Sequence, residues 1–174
     1  MAVSGKQNPG MQKVEPNVSG SIRFDEHKVY WDYKDRTIVE IDLDVVEVIG
    51  ENTNGEGPWG EDWLLIFVTK DKQWNSISLY ADNRQELLSF LTTRFDTDFD
   101  QLFLTGSFEW ASVVRYPKVL EGISLFKLVR PDTYKAPKNY FEKFMCGLGF
   151  GGFDTSMNIE LSDEVQIHLQ NTCR

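Results

Sequence analysis

Residues 37–95 read TIVEIDLDVVEVIGENTNGEGPWGEDWLLIFVTKDKQWNSISLYADNRQELLSFLTTRF, and the fold turns on how apolar residues recur within them. Val39, Ile41, Leu43 and Val45 share one parity, with Glu40, Asp42 and Asp44 opposite, which is the period of a half-buried strand. Val46 and Val48 then take the other parity. A switch of face inside one strand requires an extra residue, so a β-bulge or sharp bend is expected at Val45 and Val46. Residues 52–61 (NTNGEGPWGE) crowd Asn-Gly, further glycines and Pro58 together and read as a long exposed loop. Residues 63–68 (WLLIFV) are continuously apolar and short, as a strand buried on both faces should be. After a turn at Lys70-Asp71-Lys72, Ile77, Leu79 and Ala81 alternate against Ser76, Ser78 and Tyr80. Asp82 or Asn83, with Gln85 or Glu86 three residues on, then predicts a capping box for a helix with the stripe Leu87, Phe90, Leu91 and Phe95.

Working outward, Val29, Trp31 and Tyr33 alternate with Lys28, Tyr30 and Asp32, so the strand meander begins at residue 28 and turns at Lys34-Asp35. Residues 1–20 are polar, aperiodic and rich in Gly, Asn and Gln, and predict a disordered tail. Beyond the helix, Phe108, Trp110, Val114 and Tyr116 predict a strand stopped by Pro117, with 123–129 as its pairing partner. Pro137 opens a second predicted helix at 138–145, and 157–161 with 165–169 read as a last hairpin about Ser162 and Asp163. The expected organisation is one α+β domain over 21–174: the meander and helix of 28–95, then further strands and a helix in 100–174. Its fold class is an antiparallel, bent β-sheet or partial barrel with one or two packed helices.

The strand Ile41-Asp-Leu-Asp-Val-Val-Glu-Val-Ile49, the buried strand 63–68, the strand 77–81 and the helix 84–95 together resemble the second half of a pleckstrin-homology-like domain, of the GRAM or bacterial type. That resemblance implies a bent sheet or partial barrel closed by a helix. In lipid-binding members it implies Lys and Arg gathered around an early hairpin. The matching turn here is Lys34-Asp35-Arg36, in a chain with 18 basic and 27 acidic residues and a net charge of −9. A lipid-surface adaptor of the GRAM type is disfavoured by that charge, membrane association is not expected, and nucleic-acid backbones would be repelled. No cofactor is expected. Two cysteines without metal spacing, Cys146 and Cys173, and no apolar leader suit a cytoplasmic protein.

Four motifs invite chemistry. Gly147-Leu-Gly149-Phe-Gly-Gly152 matches a dinucleotide fingerprint in letters, but it follows a predicted helix where the fingerprint needs a preceding strand, so it reads as a helix C-cap. His27 and His168 lie in or beside predicted strands with no Asp or Asn visibly placed to orient them, and Cys146 reads as an inert thiol. Asp96, Asp98 and Asp100 open with calcium-loop spacing, then Gln101 and Ser107 stand where the turn glycine and bidentate Glu belong. They remain the metal candidates for an alternative reading, a metal-assisted hydrolase. Asp42 and Asp44, with Glu40 and Glu47 near, could pair as acid and base, yet the outer face of an antiparallel sheet looks the same. The remaining feature is the loop Gly55-Glu-Gly-Pro-Trp59-Gly-Glu-Asp-Trp63, where an aromatic among glycines suits a binding anchor. The function expected from the sequence is a non-catalytic interaction module for a protein or peptide partner, possibly basic, bound through Trp59, Asp62 and Trp63 or through an exposed sheet edge.

Overall fold

The computed structural model describes residues 18–54, 62–99, 101, 104, 110–129 and 158–172. Three strands, β1 (Ser21–Phe24), β2 (Lys28–Tyr33) and β3 (Arg36–Asp42), form an antiparallel meander in that order. Lys34 and Asp35 close the second hairpin with φ of 47° and 61°, the left-handed pair that a two-residue turn needs to follow the strand twist. Trp31 faces Val39 while Asp32 faces Thr37, so Ile38 is an extra residue on β3.

The expected bend at Val45 and Val46 is a single 3-10 turn, Leu43–Val45, begun by the Asp42 carboxylate accepting the Asp44 N–H at 3.0 Å. It hands the chain from the first sheet to β4 (Val46–Asn54) of the second, which runs β6-β5-β4-β7 with β5 (Trp63–Thr69), β6 (Trp74–Ser78) and β7 (Trp110–Tyr116). The chain changes sheet here, and the ladder shifts register between Val46 and Val48, which enter different cores. An isolated bridge ties Ser21 of β1 to Asp82, in the segment between β6 and the following helix, and the sheets do not close into a barrel. A ribbon of β8 (Phe126–Val129) and β9 (Asn158–Leu161) makes the third antiparallel sheet.

Two hydrophobic cores lie on opposite faces of the four-stranded sheet, as the uninterrupted apolar run of β5 requires. Leu65 and Phe67 enter the first core with Ile22, Val29, Ile41 and Leu43 of the three-stranded layer and with helix α1 (Arg84–Phe95). Ile66 and Val68 enter the second with Val114, Leu125, Phe126 and Leu161, and with Val165 and Leu169 of helix α2 (Asp163–Thr172). Helix α1 buries Leu87, Leu88 and Leu91, while Phe90 stacks on Phe24 at 4.9 Å and Phe95 meets Tyr116 at 4.8 Å. Each such fully buried side chain contributes roughly 1.5–3 kcal/mol by leaving water.

Several expectations are corrected. The capping box is not made: Asn83 sits at φ 65° and its side chain donates to the Ile22 carbonyl at 3.0 Å, stitching the helix start to β1. The loop after β4 begins later than expected, because Asn52 and Thr53 are buried in the ladder opposite Leu64 and Trp63. Strand β7 has its ladder with β4; of 123–129 it meets Ile123, whose carbonyl accepts the Val114 N–H at 2.8 Å, while strand β8 pairs with β9. Residues 165–169 are helical: Ser162 Oγ accepts the Val165 N–H at 3.4 Å as an N-cap does, and acids at 163 and 164 follow it. Ser19 and Gly20 are packed while Val18 is exposed: Ser19 is buried and its carbonyl accepts the Trp31 indole N–H at 2.8 Å. A Cβ on Gly20 (φ 76°) would meet the Asp32 carbonyl at 2.2 Å, so glycine is required there. Residues 1–17, the helix expected at 138–145, the glycine motif and both cysteines fall outside the described residues.

Candidate functional site

Trp59 also lies outside the described residues, and the two residues read with it point inward. Asp62 is 6% exposed and accepts the Tyr80 hydroxyl at 2.7 Å. Trp63 sits edge-on to Tyr80 at 6.0 Å with the Arg84 guanidinium 5.8 Å from its ring, and its indole N–H faces Glu51 Oε2 at 3.5 Å. Glu51 and Arg115, both essentially unexposed, form an ion pair at this end of the sheet. Glu51 also accepts the Leu104 N–H at 3.1 Å, and Arg115 donates to the Asp98 carbonyl. Sequence reading passed over this pair. Its signal was a lone charge inside each of two otherwise apolar or neutral strand segments, Gly50-Glu51-Asn52 and Val113-Val-Arg115-Tyr116.

Of the metal candidates, Asp96 and Asp98 are among the described residues. Asp96 ends α1 in the left-handed region (φ 49°) with its N–H bonded to the Thr92 carbonyl, and the Asp98 carbonyl is engaged by Arg115; Asp100 is not among the described residues. Among the described residues no group of three or more His, Cys, Asp or Glu could hold a metal ion. His27 does have an orienting carboxylate, contrary to expectation, because the 3-10 turn carries Asp44 out of β3. Its Nδ1 lies 2.7 Å from Asp44 Oδ2, and Asp44 also pairs with Arg94, which donates in turn to the Glu26 carbonyl. The hydrogen bond from His27, followed by that from Arg94, holds the Asp44 carboxyl below the usual range, and Asp44 in turn raises His27. Asp42 and Asp44 are consequently not a matched acid–base pair on one strand: one caps the turn and the other closes this clasp.

The exposed side of the three-stranded sheet ends at β3, which has no strand partner on its outer side among the described residues. The Leu43 N–H donates to the His27 carbonyl at 2.7 Å, and the antiparallel ladder alternates from there. Ile41 and Val39 turn their backbone groups toward β2, while Glu40 and Asp42 turn theirs to the open edge. Both acids are exposed. Lys28 Nζ reaches Glu40 at 2.5 Å, while Asp42, its register partner, has its carboxylate on the Asp44 N–H. At the other end of this sheet a cleft of about 770 Å³ is lined by Ser21, Arg23, Lys34, Asp35 and Asp82 among others. Arg23 is held there by Asp32 at 2.5 and 3.1 Å, leaving a lining of mixed sign.

No protein-family model, curated protein or solved structure matches this chain. No helix among the described residues is long and apolar enough to cross a membrane.

Proposed function

We propose that this chain is a non-catalytic interaction module, working in the cytoplasm, that binds a protein or peptide by adding a strand to the outer edge of β3. The observation that carries this reading is the row of outward backbone groups at Glu40 and Asp42, next to an exposed surface and without a strand partner among the described residues. Natural edges are blunted by Pro, Lys or bulges. Here the bulge lies at Ile38, upstream, and residues 39–42 run in regular register. A pleckstrin-homology-like origin is part of the proposal, supported by a three-stranded and a four-stranded antiparallel sheet meeting at a bend, with α1 packed on the shared core. Lipid binding is not adopted, because the cleft beside Lys34 mixes cations with Asp35 and Asp82 and the chain carries net charge −9.

The test is a capture from lysate of the source cells on the immobilised chain, followed by amide hydrogen exchange of the recovered complex. Slowed exchange at residues 39–43, with capture lost in Glu40→Pro, is the expected result. Unchanged exchange there, with capture lost in Trp59→Ala alone, would move the site to the loop.

A further inference from the structure

We infer that the strand completing the β3 edge carries cations at every second residue, and that it comes from a different protein and not from a second copy of this chain. The inference rests on the strand-addition reading above and specifies its partner. Glu40 and Asp42 are two residues apart on the outer face of the sheet, so residues i and i+2 of an added strand would stand opposite them, with Cβ atoms about 4.5–5.5 Å away. On the β2 side Lys28 pairs with Glu40, and Asp42, opposite Lys28 in register, is in no ion pair among the described residues. Asp44, the next acid along, is already held by His27 and Arg94, so neither of those partners is free to balance the edge. The edge therefore presents an unbalanced negative row. On the opposite face Val39 is partly buried against the first core and Ile41 is 2% exposed, so that face is already packed and does not specify the intervening residue of the incoming strand. The complementary segment reads Lys or Arg, then any strand-forming residue, then Lys or Arg.

A second copy fits poorly. Antiparallel self-pairing over 39–42 places Glu40 against Glu40 or against Asp42, and like charges directly opposite destabilise a sheet. A register that would bring Arg36 to Asp42 runs through the bulge at Ile38, where the ladder is broken.

Isotope-labelled protein titrated with three heptapeptides, alternating Lys/Val, Thr/Val and Glu/Val, tests this by amide shifts and exchange. The Lys/Val peptide is expected to bind with slowed exchange at 39–43, to weaken as salt rises, and to lose about thirtyfold in affinity against Glu40→Lys/Asp42→Lys, the combined effect of two exposed charge pairs at the upper end of their usual strength. Asp42→Lys also removes the acceptor that caps the 3-10 turn, so the melting temperature of that variant checks that it still folds. Equal binding of the Thr/Val and Lys/Val peptides would overturn the charge assignment and leave strand addition standing. Lys/Val binding that slows exchange elsewhere and is unaffected by Glu40→Pro would overturn both. Concentration-dependent self-association that protects 39–43 in the chain alone would overturn the exclusion of a second copy.

Discussion

His27 sits beside three acids and a cation whose charges decide what its proton does. The hydrogen bond to Asp44, then that carboxylate's charge, raises the His27 pKa above its ordinary value; Glu26 adds to the rise and Arg94 opposes it. Asp25, itself lowered by the N–H groups of His27 and Lys28, holds the turn that carries the ring. A raised folded pKa means that protonated His27 stabilises the fold fully below the unfolded histidine value of about 6.5, and that this contribution is lost as pH rises through the folded value. Asp44 has the opposite sign: its contribution is present above the unfolded carboxylate value near about 3.9 and is lost as pH falls through its depressed folded value. Both act together at about pH 5–6. The melting temperature of His27→Ala should fall furthest below that of the parent chain in this interval, and the two should converge well above pH 7. With His27 64% and Asp44 52% exposed the gap will be small, so it is read as a difference between variants. A gap that widened with pH would contradict the clasp.

Among the elements, β4 carries the most demanding residue. Glu51 and Arg115 are buried as a pair, and the pair ties β4 to the irregular end of β7, to the exit of α1 through the Asp98 carbonyl, and to Leu104. Removing one partner leaves a buried charge, so Glu51→Leu or Arg115→Met alone should cost about 3–5 kcal/mol in urea unfolding, and the double variant should cost less than either. Additive losses would show that the two residues act independently. The strands around them were legible because each met one condition. The run 63–68 had to be a two-faced strand, being too apolar to have a wet side, and the parity switch at Val45 and Val46 had to be a bend. Residues 165–169 were ambiguous because Val165 and Leu169 satisfy both the strand period and the helical i, i+4 spacing. Ser162 followed by Asp163 and Glu164 was the signal that decides for a helix. The capping box failed for a tertiary reason: Asn83 is more useful to β1 than to its own helix. The edge of β3 was foreseen only in general terms, since no local pattern tells a strand that its neighbour is missing.

For the whole molecule, the four-stranded sheet is the wall between two cores, and the β3 edge is only as rigid as that wall. Ile66 and Phe67 are adjacent in sequence, 3% and 0% exposed, and belong to different cores. Neither core can dissolve without stripping one face of β5, so the layers should unfold as a unit. Trp31 and Trp63 report on the first core and Trp110 on the second, while far-ultraviolet dichroism follows the backbone of both. Phe67→Ala should cost about 3–5 kcal/mol and Ile66→Ala about 2–5 kcal/mol, each by lost burial plus the cavity left behind. In urea, both variants should move one common transition to lower denaturant, with the fluorescence and dichroism curves superimposed. Two separated transitions, with Phe67→Ala shifting one and Ile66→Ala the other, would show that the β8–β9 ribbon and α2 form a unit that melts apart from the rest. In that case a partner at the β3 edge would be bound by the first core and its helix alone.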